Sequence, residues 1–282
     1  MPESRRLKIG MAQMLVEGGQ PARNLQRAER MIRDAARQGC DIVVLPECMD
    51  LGWTHPSVPE LAQEVPGAIS ERLAAAAISE GIHVCSGLTE RAGQRFYNAA
   101  VLISPGGEIL IKHRKINELP IARHLYTSGD RLSVTDTSLG RIGVTICADN
   151  LSDSLVFAHA LARMGAQMIL SPCTWAMPPE HDDTTEPYGA TWIKPYTTIA
   201  KLYDVPVIGV SNVGWIEGGA WNGYKCIGCS LAIGAGGEII VQGRYGPDAE
   251  QLLVIDVELP PPRSDWGTDL AETLRQRGYF GP

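Results

Sequence analysis

Hydrophobic positions along this chain switch repeatedly between a short continuous or alternating pattern and a helical spacing. Leu7 to Met14 reads as a strand, and Ala22 to Gly39 carries Leu25, Ala28, Met31, Ile32 and Ala35 at helical intervals before a closing glycine. Asp41 to Leu45 is an apolar run of the kind buried on both faces. Ile69 to Gly81 predicts an alanine-rich helix, and His83 to Thr89, Tyr97 to Ile103 and Glu108 to Lys112 predict strands. Pro105-Gly106-Gly107 joins the last two as a hairpin.

The second half repeats this plan. Leu132 to Thr135 and Arg141 to Ile146 predict strands, and a helix from about Ser152 to Gly165 sets Leu155, Ala158, Leu161 and Ala162 on one side. Next come a buried strand, Met168 to Ser171, and a helix, Tyr188 to Tyr203. Strands are predicted at Pro206 to Ser211, Ile227 to Ile233, Glu238 to Gln242 and Leu252 to Val257, with a hairpin turn at Gly234-Ala235-Gly236-Gly237. No linker rich in Pro, Gly or Ser divides the halves, so the pattern predicts one α/β domain over residues 1–260. The proline run beginning at Pro260 opens a tail, residues 261–282, too short to fold alone and expected to pack on the domain or on a partner subunit.

Composition narrows the function. The 282 residues are 44% hydrophobic and 20% charged, which excludes disordered and small disulfide-stapled classes. Lys+Arg 25 against Asp+Glu 32 gives a net charge of -7, removing the attraction that nucleic acid or an anionic membrane surface requires. A small molecule or another protein is the expected partner. No apolar stretch approaches the roughly 20 residues of a membrane span, and Met1 to Arg6 shows no hydrophobic signal core, so a cytoplasmic location is expected. Seven cysteines, an odd number scattered over the chain, suit reduced thiols. Cys226 and Cys229 form a C-x-x-C without a second cysteine or histidine pair at zinc spacing, and read as small apolar strand residues; no metal is expected.

Functional side chains in α/β folds gather where strands end. The run DIVVL ends in Pro46-Glu47, EILIKH in Arg114-Lys115, and RIGVTI in Cys147-Ala148-Asp149. A carboxylate, an ammonium and a thiol supply a base, a cation for a developing oxyanion, and a nucleophile. Each also has a plain structural reading: Glu47 as a turn cap, Lys115 as one of a solvated basic cluster, Cys147 as a core residue.

The segments LPE, HRK and GVTICAD together resemble the nitrilase superfamily of carbon-nitrogen hydrolases. The resemblance runs from about Leu7 to Val257 and takes in Tyr97-Asn98-Ala99, Ser128-Gly129-Asp130, Gly165-Ala166, Ser211-Asn212-Val213-Gly214 and Gly228-Cys229-Ser230. It implies a four-layer αββα sandwich, assembly as a homodimer or higher homo-oligomer, and no metal or organic cofactor. It also implies a Glu-Lys-Cys triad: Glu47 as base, Lys115 with the backbone N–H of Ala148 on the oxyanion, and Cys147 forming a thioester that water then hydrolyses. Members of the family commonly carry a second glutamate on the loop between lysine and cysteine. The matching place here falls near Arg123-His124; Glu118 is the only acid from Ile116 to Ser128, and either fills that role or is a solvated loop residue.

The residues just after the nucleophile bear on substrate. Nitrile-cleaving members typically have tryptophan then glutamate there, whereas Ala148 and Asp149 stand here. Members acting on N-carbamoyl amino acids often carry an arginine-rich segment that grips a carboxylate, whereas this chain has Asn150-Leu151-Ser152-Asp153. A small linear amide is therefore the expected substrate. An N-carbamoyl amide releasing ammonia and carbon dioxide, and a catalytically lapsed, ligand-binding protein, are the alternatives. No histidine sits in a motif that would pair it with Cys147 as in a cysteine peptidase. Six tryptophans against three phenylalanines is an unusual balance, and Trp53 and Trp175 are the expected pocket residues, with plain packing the alternative for each.

Overall fold

The computed structural model describes residues 5–280; residues 1–4, within the segment expected to lack a signal core, and the last two residues of the tail lie outside the described residues. The first half runs β1 (Arg5–Gln13), α1 (Pro21–Arg37), β2 (Ile42–Val44), α2 (Val58–Leu61), α3 (Ala68–Glu80), β3 (His83–Ala92), β4 (Arg95–Ile103) and β5 (Ile109–Arg114). The second runs β6 (Val134–Thr137), β7 (Gly140–Val144), α4 (Val156–Arg163), β8 (Met168–Cys173), β9 (Ala176–Met177), α5 (Ala190–Tyr203) and β10 (Val207–Ser211). It closes with β11 (Val213–Trp215), β12 (Lys225–Ile227), β13 (Leu231–Ile233), β14 (Ile239–Gln242), β15 (Gln251–Leu259) and α6 (Gly267–Gln276).

Two six-stranded sheets form, ordered β15-β1-β2-β3-β4-β5 and β14-β13-β10-β8-β7-β6. Alternation along each strand assigns its residues to layers. Ile42 and Val44 of β2 share a core with Ile9, Met11, Ile142, Val144, Leu170 and Val210, so the two sheets pack on one another through it. Val43 and Leu45 point the other way, under Leu25, Ala28 and Ile32 of α1 and Leu73 and Ala77 of α3. On the outer face of the second sheet lie α4 and α5. A Cβ on Gly143 of β7 would stand 3.2 Å from Leu161 of α4, so the small residue there admits the helix closely. The order is helix, sheet, sheet, helix: the expected αββα sandwich. In the tail, α6 buries Leu270 and Leu274 in the same core as α4 and α5.

Two expectations need correction. The predicted strand Ile227 to Ile233 is two strands, β12 and β13, broken where Gly228 and Cys229 take φ of 65° and 57°. Gln13 of β1 clamps the break: it accepts from Ser230 N and donates to the carbonyls of Arg244 and Ala249, and a Cβ on Gly228 would lie 2.3 Å from its Nε2. Cys226 therefore sits in a strand and Cys229 in the break, both buried thiols. β12 joins a three-stranded sheet with β9 and β11 that period alone does not reveal. The helix predicted from Ser152 begins only at Val156, because the chain after Cys147 makes a 3-10 turn to Asn150 and the Ala148 carbonyl is taken by the side chains of Asn117 and Ser154.

Candidate active site

Three of the predicted residues meet at one end of the sandwich. Glu47 follows β2 of the first sheet, and its backbone reaches across to the second: Glu47 N donates to the Cys173 carbonyl (3.2 Å), and Thr174 Oγ1 donates to the Glu47 carbonyl (3.4 Å). Gly87 of β3 lets the chain pass, since a Cβ there would stand 2.4 Å from Glu47 Cα. Lys115 follows β5 and is fixed through its N–H to the Asn98 carbonyl at 2.8 Å. Cys147 follows β7 at φ 42°, a left-handed conformation that costs a non-glycine residue about 1–3 kcal/mol. Its N–H donates to Ser171 Oγ at 3.2 Å.

Asp149 ties the cysteine turn to the lysine loop. Its Oδ2 accepts from Ile146 N and faces His113 Nε2 at 2.8 Å, while Oδ1 accepts from Ile116 N and Asn117 N. Burial opposes its charge, but the hydrogen bond from His113 and the neighbouring cations hold the carboxyl below its ordinary range. One carboxylate thus sets the distance between nucleophile and cation.

Lys115 Nζ donates to Glu47 Oε1 at 2.7 Å, and Asn98 Nδ2 donates to the same oxygen at 2.6 Å. Both members of the ion pair are 1% exposed. Burial works against the lysine charge, but Glu47, Glu118 and Cys147 raise its pKa well above the usual value, so Lys115 stays an ammonium. The Cys147 thiol is pushed well up, first by hydrogen bonding with the thiol of Cys173, then by burial and by Glu47, with Lys115 opposing. Cys147 therefore rests as a thiol and needs a base at the moment of attack.

Glu47, Lys115 and Cys147 line a cavity of about 160 Å³, with Ala148, Trp53 and Trp175 in its walls. Trp175 stacks on Trp192 at 5.0 Å, and Trp53 meets Trp221 edge-on at 4.8 Å. Among the described residues no group of three His, Cys, Asp or Glu side chains is disposed to hold a metal ion.

Glu118 is not a solvated loop residue: it is 1% exposed, and neither carboxylate oxygen has a hydrogen-bond partner. Arg123 and His124, at the place where the family resemblance puts the second glutamate, are exposed. Glu118 does not line the cavity, but its ionised form raises the Lys115 pKa. Burial pushes its carboxyl up to about 8, against the pull of Lys115 and with the push of Glu47 and Asp149. Because the folded value is raised, its protonated form stabilises the fold at low pH, and that contribution is lost as pH rises from the ordinary carboxyl range through about 8. Glu118→Gln is expected to flatten this decline, by up to about 1.4 kcal/mol per pH unit. Urea unfolding of both proteins from pH 5 to 9 checks it; parallel curves would refute the assignment.

The chain matches the carbon-nitrogen hydrolase family over residues 8–263. It belongs to that family. Among relatives of this carbon-nitrogen hydrolase are a nitrilase of Pyrococcus abyssi, 29% identical over 96% of this chain and 97% of that one, and the omega-amidase NIT2-A of Xenopus laevis, 33% identical over 61% of this chain and 65% of that one. Among solved structures, a carbon-nitrogen hydrolase from Helicobacter pylori G27 has a TM-score of 0.80 at 21% identity, covering 97% of this chain and 92% of that one. An amidase from Nesterenkonia sp. AN1 has a TM-score of 0.76 at 19% identity, covering 97% and 100%. These likenesses place the fold in the nitrilase superfamily. No described helix of this hydrolase is long and apolar enough to cross a membrane.

Sequence reasoning misses several residues of the site. Asn98 stands out only within a tripeptide, yet it is fully buried and holds the carboxylate. Its strand position opposite Thr89 gives no sign that it faces Glu47. Trp221 lies in a loop rich in glycine; a lone indole between Gly218-Gly219 and Gly223 is the available signal. Tyr188 joins the wall and accepts a hydrogen bond from Trp192 Nε1 at 2.9 Å.

Proposed function

We propose that this carbon-nitrogen hydrolase is an amidase that cleaves a small linear amide through a thioester on Cys147. The observation that carries the reading is the buried Glu47–Lys115 contact at the cavity that Cys147 also lines. Both donors to Glu47 converge on Oε1, which leaves Oε2 to take the thiol proton as sulfur attacks the carbonyl carbon. Lys115 and the Ala148 N–H hold the oxyanion. Glu47 returns the proton to nitrogen, the C–N bond breaks and ammonia leaves. Water then attacks the thioester, giving its proton through Glu47 to the departing sulfur and releasing the acid. Glu118, its carboxyl raised by burial to about 8 and therefore protonated at neutral pH, takes the part of the second carboxyl as a positioning residue beside the Glu47–Lys115 pair rather than as a group that touches substrate. The omega-amidases among the relatives support amide chemistry.

The test is a panel of short aliphatic amides, ω-amides and N-carbamoyl amines, assayed for ammonia and carbon dioxide in parallel. Ammonia without carbon dioxide is expected. Carbon dioxide in equal yield would make the protein a carbamoyl-amide hydrolase, and a folded protein inert to the whole panel would make it a binding protein.

A further inference from the structure

The cavity's walls are more selective than its chemistry. Trp53, Trp175, Trp192, Trp221, Leu119 and Leu151 line the cavity around the triad. Lys115 is the only cation among the described residues that line it, and its ammonium is committed to Glu47 and to the reacting carbonyl. A carboxylate on the substrate would lose its hydration against indole rings and find no counter-charge. An ammonium would find ring faces but no free acid on the wall to pair with, since Glu47 already holds Lys115.

Size sets a second limit. An apolar cavity of about 150 Å³ accepts benzene, a molecule of six non-hydrogen atoms. The 160 Å³ here must hold the reacting amide group as well as the acyl chain.

We propose that the site is selective for primary amides of uncharged, unbranched or singly branched acyl groups of up to about four carbons, and discriminates against ω-amides that carry a carboxylate. This rests on the amidase reading and deepens it: the substrate class is set by indole walls without a spare cation.

Three amides of similar length separate the charges: butyramide, succinamate as the anion, and 4-aminobutyramide as the cation. Wild-type kcat/KM for butyramide is expected to exceed each of the others by at least about thirtyfold; a smaller ratio for either overturns the assignment. Binding of the three to the Cys147→Ala protein, by calorimetry, is expected to show the same order. That second measurement keeps the two readings apart. Absence of ammonia from all three would sink the amidase, while the binding order would still decide what the walls select, with equal or reversed affinities counting against the proposal. Leu151, half-buried at the cavity's edge, supplies a converse variant. Leu151→Arg adds the missing cation and is expected to raise succinamate relative to butyramide at least about tenfold; an unchanged ratio would mean that absence of a cation is not what excludes the carboxylate.

Discussion

Cys147→Ala is expected to lower ammonia release by more than about four orders of magnitude while leaving the fold intact. The loss is total in kind because no other thiol stands in. Cys48, Cys85 and Cys173 are fully buried, burial pushes Cys40 up to about 11 and Cys226 and Cys229 up to about 12, and none of these six lines the cavity. The fold survives because one sulfur is removed from a site next to the cavity, and alanine bears the same left-handed strain that cysteine already bears at this position. The change in unfolding free energy should stay within about 1 kcal/mol. Ammonia assays beside urea unfolding check both halves. Residual turnover above about one part in a hundred would mean that the sulfur is not the nucleophile.

The second large effect is on the buried ion pair. Lys115→Met leaves Glu47 as an uncompensated charge at 1% exposure, with only Asn98 on its Oε1, and is expected to cost about 3–5 kcal/mol of stability together with at least about a thousandfold in kcat/KM. Adding Glu47→Gln removes the stranded charge. The double variant should recover much of the stability, since a neutral pair of similar volume needs no buried compensation, and recover none of the activity. A double variant as unstable as the single one would show that packing of the lysine stem, rather than charge, holds this part of the site.

The sheets and helices are legible in the sequence because this chain obeys its periods where packing is regular. Leu25, Ala28, Ile32 and Ala35 do lie on one helix face, and Ile42 and Val44 do point away from Val43. Legibility fails where backbone conformation is set by something distant. Nothing local to Gly228 and Cys229 announces that Gln13 closes on them. The chain after Cys147 has helical spacing, but side-chain hydrogen bonds from Asn117 and Ser154 take the carbonyl that an α-helix would use. The chemistry of the site is legible at strand ends, in Glu47, Lys115 and Cys147, whereas Asn98 and Trp221 depend on cross-sheet geometry that no spacing encodes. Glu118 is readable as a lone acid, yet its burial comes from tertiary packing around a loop.

The first strand of the chain finds its outer neighbour only in the last: β1 and β15 pair antiparallel from Arg5 opposite Leu259 to Gln13 opposite Gln251. A nascent chain therefore carries β1 with one side unpaired until residues 251–259 have been made. Such an edge, flanked by Ile9 and Met11, is a template for intermolecular pairing, and a contact spanning this much sequence forms late. A chain truncated before Gln251 would retain every residue of the triad and still leave the ribosome with an open seam, so early termination should yield aggregates rather than a weakened enzyme.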